Sequence, residues 1–149
     1  MSSEPLEIST FGFISRSPIQ VFEAIADHRQ LERYFTTGGS SGRLIAGSTV
    51  YWDFADFPGA FPVKVLAAEP AELIEISWGP VDALRAVSFR LEPYRDFTRT
   101  KLTITEGPWP FTAAGAQEAM GSQMGWTGML AALKVWLEHG VHLRDDFYK

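Results

Sequence analysis

Apolar side chains recur at every second position through most of the stretch from Arg43 to Glu106, and at every third or fourth from Thr112 to His139. The two periods separate a strand-forming middle from a helix-forming end. In the last segment an arc spaced at about 100° per residue carries Gly115, Ala119, Ser122, Trp126, Met129, Leu130, Leu133 and Leu137. Glu118, Gln123, Thr127, Lys134 and Glu138 fall largely on the other side, which predicts an amphipathic helix with one face in the core. A helix of roughly 28 residues spans about 40 Å, enough to cross a small domain. Its inward arc begins with small residues and ends with large ones. That asymmetry predicts a plug in the second half, room beneath the first half, and hence a cavity for a small molecule. Gly115, Gly121, Gly125 and Gly128 interrupt this helix, each at about 1 kcal/mol relative to alanine. The last three share a flank with Ala132, where a loop, a neighbouring helix or a second copy can approach closely.

The alternating middle divides into strands at Arg43–Ile45, Ser48–Phe54, Phe61–Ala67, Leu73–Trp78, Ala83–Leu91 and Thr98–Glu106. Turn-forming pairs separate them: Ala46-Gly47, Pro58-Gly59, Glu69-Pro70, Gly79-Pro80 and Arg95-Asp96. Connections this short imply antiparallel neighbours, because parallel strands need long crossovers. Upstream, Leu6 to Ile14 reads as a further strand. Ser17-Pro18-Ile19-Gln20 starts a helix that turns Val21, Phe22 and Ile25 inward, and a second short helix from about Arg29 to Phe35 presents Leu31, Tyr34 and Phe35. Thr36 to Gly42 is a loop. The expected fold class is α+β: an antiparallel sheet of six to seven strands, two short helices after the first strand, and a long C-terminal helix over one face. Alternation turns Val50, Trp52, Phe54, Val63, Val65, Ile74, Ile76, Trp78, Val87, Phe89, Leu91, Leu102 and Ile104 towards that helix. It turns Lys64, Glu75, Ser77, Ser88, Arg90, Lys101 and Thr103 to water.

Two charged residues, Arg85 and Glu106, share the inward parity. A two-residue turn at Arg95-Asp96 would set them directly opposite each other, either anchoring a ligand's polar end inside an apolar cavity or forming a salt bridge at the sheet margin. Trp109 and Phe111, in Gly107-Pro108-Trp109-Pro110-Phe111, would border the cavity or cover the core edge. Met120 and Met124 fall off the core arc. The 149 residues predict one domain, and 46% hydrophobic with 21% charged residues is ordinary for a soluble one. Eleven Phe, five Trp and four Tyr predict a ring-rich core or pocket. A net charge of −5 without a basic run argues against nucleic acid. The absence of cysteine removes disulfides and thiolate chemistry. Met-Ser-Ser-Glu-Pro does not begin a signal peptide, and no apolar run reaches membrane-spanning length, so a cytoplasmic location is expected. His139 and His142 with Asp145 and Asp146 read as a solvated tail rather than a metal site, and His28 as a surface or capping residue. No nucleophile elbow, phosphate loop or dinucleotide fingerprint occurs, and no cofactor is expected.

Several strings resemble a known family. Ser17-Pro18-Ile19-Gln20-Val21-Phe22-Glu23-Ala24-Ile25 followed by Leu31-Glu32-Arg33-Tyr34-Phe35 resembles the opening of START/Bet v 1-like (SRPBCC) domains. Val63-Lys64-Val65, Pro70-Ala71-Glu72-Leu73-Ile74-Glu75-Ile76-Ser77-Trp78 and Gly125-Trp126 through Leu137-Glu138 are similar to the subfamily related to the activator of the heat-shock-protein-90 ATPase. The resemblance implies a helix-grip fold, a curved sheet wrapped around the last helix with a cavity between, and no fixed catalytic set. Three functions stay open. The first is a binder of an apolar or amphipathic small molecule held by Trp52, Phe54, Ile76, Trp78, Phe89, Ser122 and Trp126. In it Arg85 or Glu106 orients the polar end, and Tyr34 and Trp109 border the entrance. The second is a cyclase- or dehydratase-type enzyme with Glu106 as general acid or base. The third is a chaperone-associated or self-associating interaction module that uses the sheet edge or the glycine flank.

Overall fold

The computed structural model describes residues 4–149. The elements run β1 (Leu6–Ile14), α1 (Pro18–Ala26), α2 (His28–Leu31), β2 (Gly39–Ser40), β3 (Thr49–Phe54), β4 (Phe57–Glu69), β5 (Leu73–Trp78), β6 (Arg85–Tyr94), β7 (Arg99–Trp109) and α3 (Ala113–His139). Seven strands form one sheet in the order β1-β7-β6-β5-β4-β3-β2, with every pair antiparallel. The fold is a helix grip, with α3 held in the curve of the sheet.

The inward positions read from alternation are buried or half-buried, from Val50 and Trp52 on β3 to Leu102 and Ile104 on β7. Ser17 caps α1 as its sequence predicts: its hydroxyl accepts from Gln20 N–H while the Gln20 side chain accepts from Ser17 N–H. Thr112 caps α3 through Gly115 N–H at 3.0 Å, and Gly140, in the left-handed region at φ 67°, ends it.

Four local readings are corrected. The β3–β4 turn is Ala55-Asp56, and Pro58-Gly59 lies inside β4. Arg43–Ile45 is not a strand. Leu44 is buried and donates its N–H to Ala26 O at 3.0 Å, and Arg43 pairs with Glu23, so the segment is tied to α1 rather than to the sheet. The edge strand is instead Gly39–Ser40, inside the stretch read as a loop. The second helix stops at Leu31, and Phe35 and Thr36 both donate N–H to Leu31 O as the chain turns inward. The β6–β7 turn is longer than two residues. Arg95, Asp96 and Phe97 take left-handed φ values of 48°, 54° and 65°, and pairing starts at Tyr94↔Arg99.

Helix α3 lies chiefly along β1 and less on β7. Its polar flank closes the free edge of β1: Gln123 Nε2 donates to Ser9 O at 3.1 Å, Lys134 Nζ to Phe13 O at 3.0 Å, and Glu138 accepts from Ser15 N–H at 2.9 Å. These bonds occupy backbone groups that another strand would otherwise pair with. Because α3 sits towards β1, the β3–β5 half of the concave face is left to aromatic rings.

Tyr34, read as bordering an entrance, is fully buried, and its hydroxyl donates to Ala24 O at 2.9 Å. Burial raises its pKa well above the ordinary 10.0. The folded state therefore keeps this proton at pH values where the unfolded chain has lost it. The associated stability is complete below about pH 10 and falls as pH rises towards the higher folded value. Tyr34→Phe should cost about 1 kcal/mol near neutrality through the lost bond. It should also shallow the alkaline fall in stability, as urea titrations from pH 8 to 11 would read.

Candidate functional site

The aromatic half of the concave face is built from rings of five elements and segments. Phe35 after α2, Trp52 and Phe54 on β3, Phe61 on β4, Trp78 on β5 and Trp126 on α3 lie with successive centroids 5.0–5.9 Å apart. At the centre is a carboxylate. Glu106, almost fully buried on β7, accepts from Trp78 Nε1 at 2.7 Å on one oxygen and from Trp126 Nε1 at 2.8 Å on the other. The two indoles come from the sheet and the helix, so this one side chain sets the angle between both walls.

Arg85 supplies the counter-charge, with its Nε 3.7 Å from Glu106 Oε2. The contact does not arise from direct opposition: Val87 faces Glu106 in the register, and Arg85 lies two positions along on the same face. The longer turn moved the pairing by two residues, which preserves parity, and the reach of arginine closes the diagonal. The Arg85 guanidinium also lies over the Trp109 ring at 5.2 Å.

Two clefts open here. One of about 550 Å³ is lined by Phe35, Phe54, Phe57, Trp78, Arg85, Trp109, Glu118, Gly121, Ser122, Met124, Gly125, Trp126, Arg144 and Tyr148. A second of about 300 Å³ is lined by Trp78, Arg85, Ser122, Glu106 and Phe61 with their neighbours. Trp78, Arg85 and Ser122 belong to both. Of the candidates read from the sequence, Phe54, Trp78, Arg85, Trp109, Ser122 and Trp126 line the larger cleft and Glu106 the smaller one. Trp52, Ile76 and Phe89 do not. They are fully buried behind the cleft, where Trp52 meets Trp78 edge-on and Phe89 meets Trp126 edge-on. They support the walls, and Tyr34 lies in the core.

The void does lie beside the first half of α3, where Ser122 of the arc lines both clefts, but it extends onto the glycine flank rather than beneath Gly115 and Ala119. Gly115 is shut against Pro110, where a Cβ would collide with the carbonyl, and Ala119 is buried. Gly121 and Gly125 line the cleft, and a Cβ on either would meet no atom within 4 Å. Gly128 instead receives the Tyr148 hydroxyl.

Residues 141–149 complete the wall. His142 Nδ1 lies 3.0 Å from Arg33 O and its ring packs on Trp136. Arg144 forms a two-pronged bridge to Asp56 with bonds of 3.1–3.2 Å and spreads over the Phe54 and Tyr148 rings. Arg144 and Tyr148 were invisible to periodicity. The only hint was the aromatic and basic content of a segment read as a solvated tail. Among the described residues no group of three or more His, Asp or Glu is placed to hold a metal, and no helix is long and apolar enough to cross a membrane.

A sequence profile of the family described as Activator of Hsp90 ATPase homolog 1-like protein matches residues 15–138. The chain belongs to this family. Among curated proteins, none matches the chain significantly. Solved structures show the same architecture. The crystal structure of SSP2350 from Staphylococcus saprophyticus is 27% identical with a TM-score of 0.80, over 93% of this chain and 96% of that one. The solution structure of the Aha1 dimer from Colwellia psychrerythraea is 24% identical with a TM-score of 0.76, over 91% and 98%. CalU16 from Micromonospora echinospora is 20% identical with a TM-score of 0.71, over 90% and 77%. In this Hsp90-activator-like chain the cleft spans elements that the profile covers and the strap of residues beyond it.

Proposed function

We propose that this Hsp90-activator-like chain binds an apolar or amphipathic small molecule in the cleft between α3 and the β3–β5 half of the sheet. The observation that carries the reading is the pair Gly121 and Gly125. Glycine in a helix interior costs about 1 kcal/mol against alanine, and no neighbouring atom requires it at either position. Their evident effect is the width of a cleft walled by Trp78, Trp126 and Phe54. A catalytic use of Glu106 fits less well, because both of its oxygens are committed to indole N–H groups. Protonating either oxygen would weaken the bond that holds one of the walls.

Gly125→Ala should raise stability by up to about 1 kcal/mol. Gly125→Leu should place its side chain in the cleft, leave the fold intact and abolish binding. The test is fluorescence titration and native mass spectrometry with fatty acids and flat polycyclic aromatics, using wild type and both variants. Saturable binding by wild type and Gly125→Ala, lost in Gly125→Leu, is the expected result. Equal binding by Gly125→Leu, or failure of every apolar probe, would overturn the reading.

A further inference from the structure

We infer that the ligand presents a neutral oxygen acceptor, of the ketone, quinone, ester or amide kind, to Arg85, and that Arg85 selects it over both a carboxylate and a bare hydrocarbon. The inference rests on the binding reading above and names the ligand class for the same cleft.

A guanidinium offers five N–H donors. Among the described residues Arg85 spends them sparsely. Nη1 reaches Ala83 O at 3.5 Å, the limit of a useful bond. Nε is buried without a hydrogen-bond partner, since Glu106 Oε2 is 3.7 Å away and already accepts from Trp78. Among the described residues Nη2 makes no hydrogen bond to the protein. The plane is held by the Trp109 ring, and the side chain, 21% exposed, faces both clefts. The contrast is Arg144, the other cation on the larger cleft, whose Nε and Nη2 both donate to Asp56 in a two-pronged bridge.

Charge and donors thus diverge at Arg85. Its positive charge is already balanced by buried Glu106, while its hydrogen-bonding capacity is not. The further neighbour, Glu118 at 3.9 Å from Nη1, is also an anion. Counting Arg85 and Arg144 against Asp56, Glu106 and Glu118, the site carries a net negative unit without a ligand. A carboxylate would add a second, half-desolvated one. A carbonyl oxygen takes up the Nη donors that face the clefts without adding charge, and its apolar body lies against Trp78 and Trp126.

A matched set of probes separates the possibilities: 2-ethylnaphthalene, 2-acetonaphthone and 2-naphthoate, of nearly equal size. Wild type should bind the ketone about tenfold more tightly than the hydrocarbon, the scale of one hydrogen bond to a charged donor, and more tightly than the carboxylate. Arg85→Met should erase the preference, bringing the ratio of ketone to hydrocarbon affinity to about one. Thermal melts of each variant check the fold, and Arg85→Lys, which keeps the charge and loses the planar fork, should recover only part of the preference. Equal ketone and hydrocarbon affinities, or tighter naphthoate binding, would overturn the inference while leaving the cleft a binding site. Failure of all three probes would count against the binding reading itself.

Discussion

Replacing Glu106 by alanine is expected to destabilise the protein by about 3–5 kcal/mol, the range for removing one partner of a buried, hydrogen-bonded charge cluster. Two losses combine. The Trp78 and Trp126 N–H groups are left without an acceptor in a ring-lined interior, each at about 1–3 kcal/mol. Arg85 loses its counter-ion, a smaller effect because it is partly solvated. Glu106→Gln should cost less, because its amide oxygen can still accept from one indole, but its amino group then faces the other. Urea midpoints at constant slope would measure both variants. A cost below about 1 kcal/mol for alanine would show that the carboxylate does not hold the two walls together.

Trp126→Ala is the second large effect, also about 3–5 kcal/mol. The indole is 3% exposed, packs against Phe35, Trp78 and Phe89, and spans the gap between α3 and the sheet. Combined with Glu106→Ala the loss should be well short of additive, because both changes break the same hydrogen bond. Additive costs would mean that the bond contributes nothing to their coupling.

Periodicity made much of this site legible. It placed Trp78, Arg85, Trp126 and Glu106 on facing surfaces, because a strand or helix side chain's direction follows from its position alone. The Arg85–Glu106 contact survived an incorrect register, since the left-handed run Arg95–Phe97 lengthened the turn by an even number of residues. Turn conformation of that kind leaves no trace in apolar spacing. The part of α3 beside the cleft was also legible, from its small residues. The flank was legible only at Ser122, because which other small residue meets a neighbour depends on Pro110 and Tyr148, fixed by tertiary packing. Burial of Tyr34 and Trp52 behind the cleft has the same origin: aromatic content suggests a ring-rich interior but not the depth of each ring. The Asp56–Arg144 strap joins residues far apart in the chain and belongs to no repeating pattern.

The most direct test of ligand binding at the indole walls is the set of tryptophan Nε1–H resonances in a nitrogen-15 spectrum, assigned by single Trp→Phe variants and followed during titration with 2-acetonaphthone. Trp78 and Trp126 should shift most. Trp136, ten residues or about 15 Å further along α3 and packed on His142, should shift least. Shifts confined to Trp136, or saturable binding that leaves the Trp78 and Trp126 signals unmoved, would contradict the account.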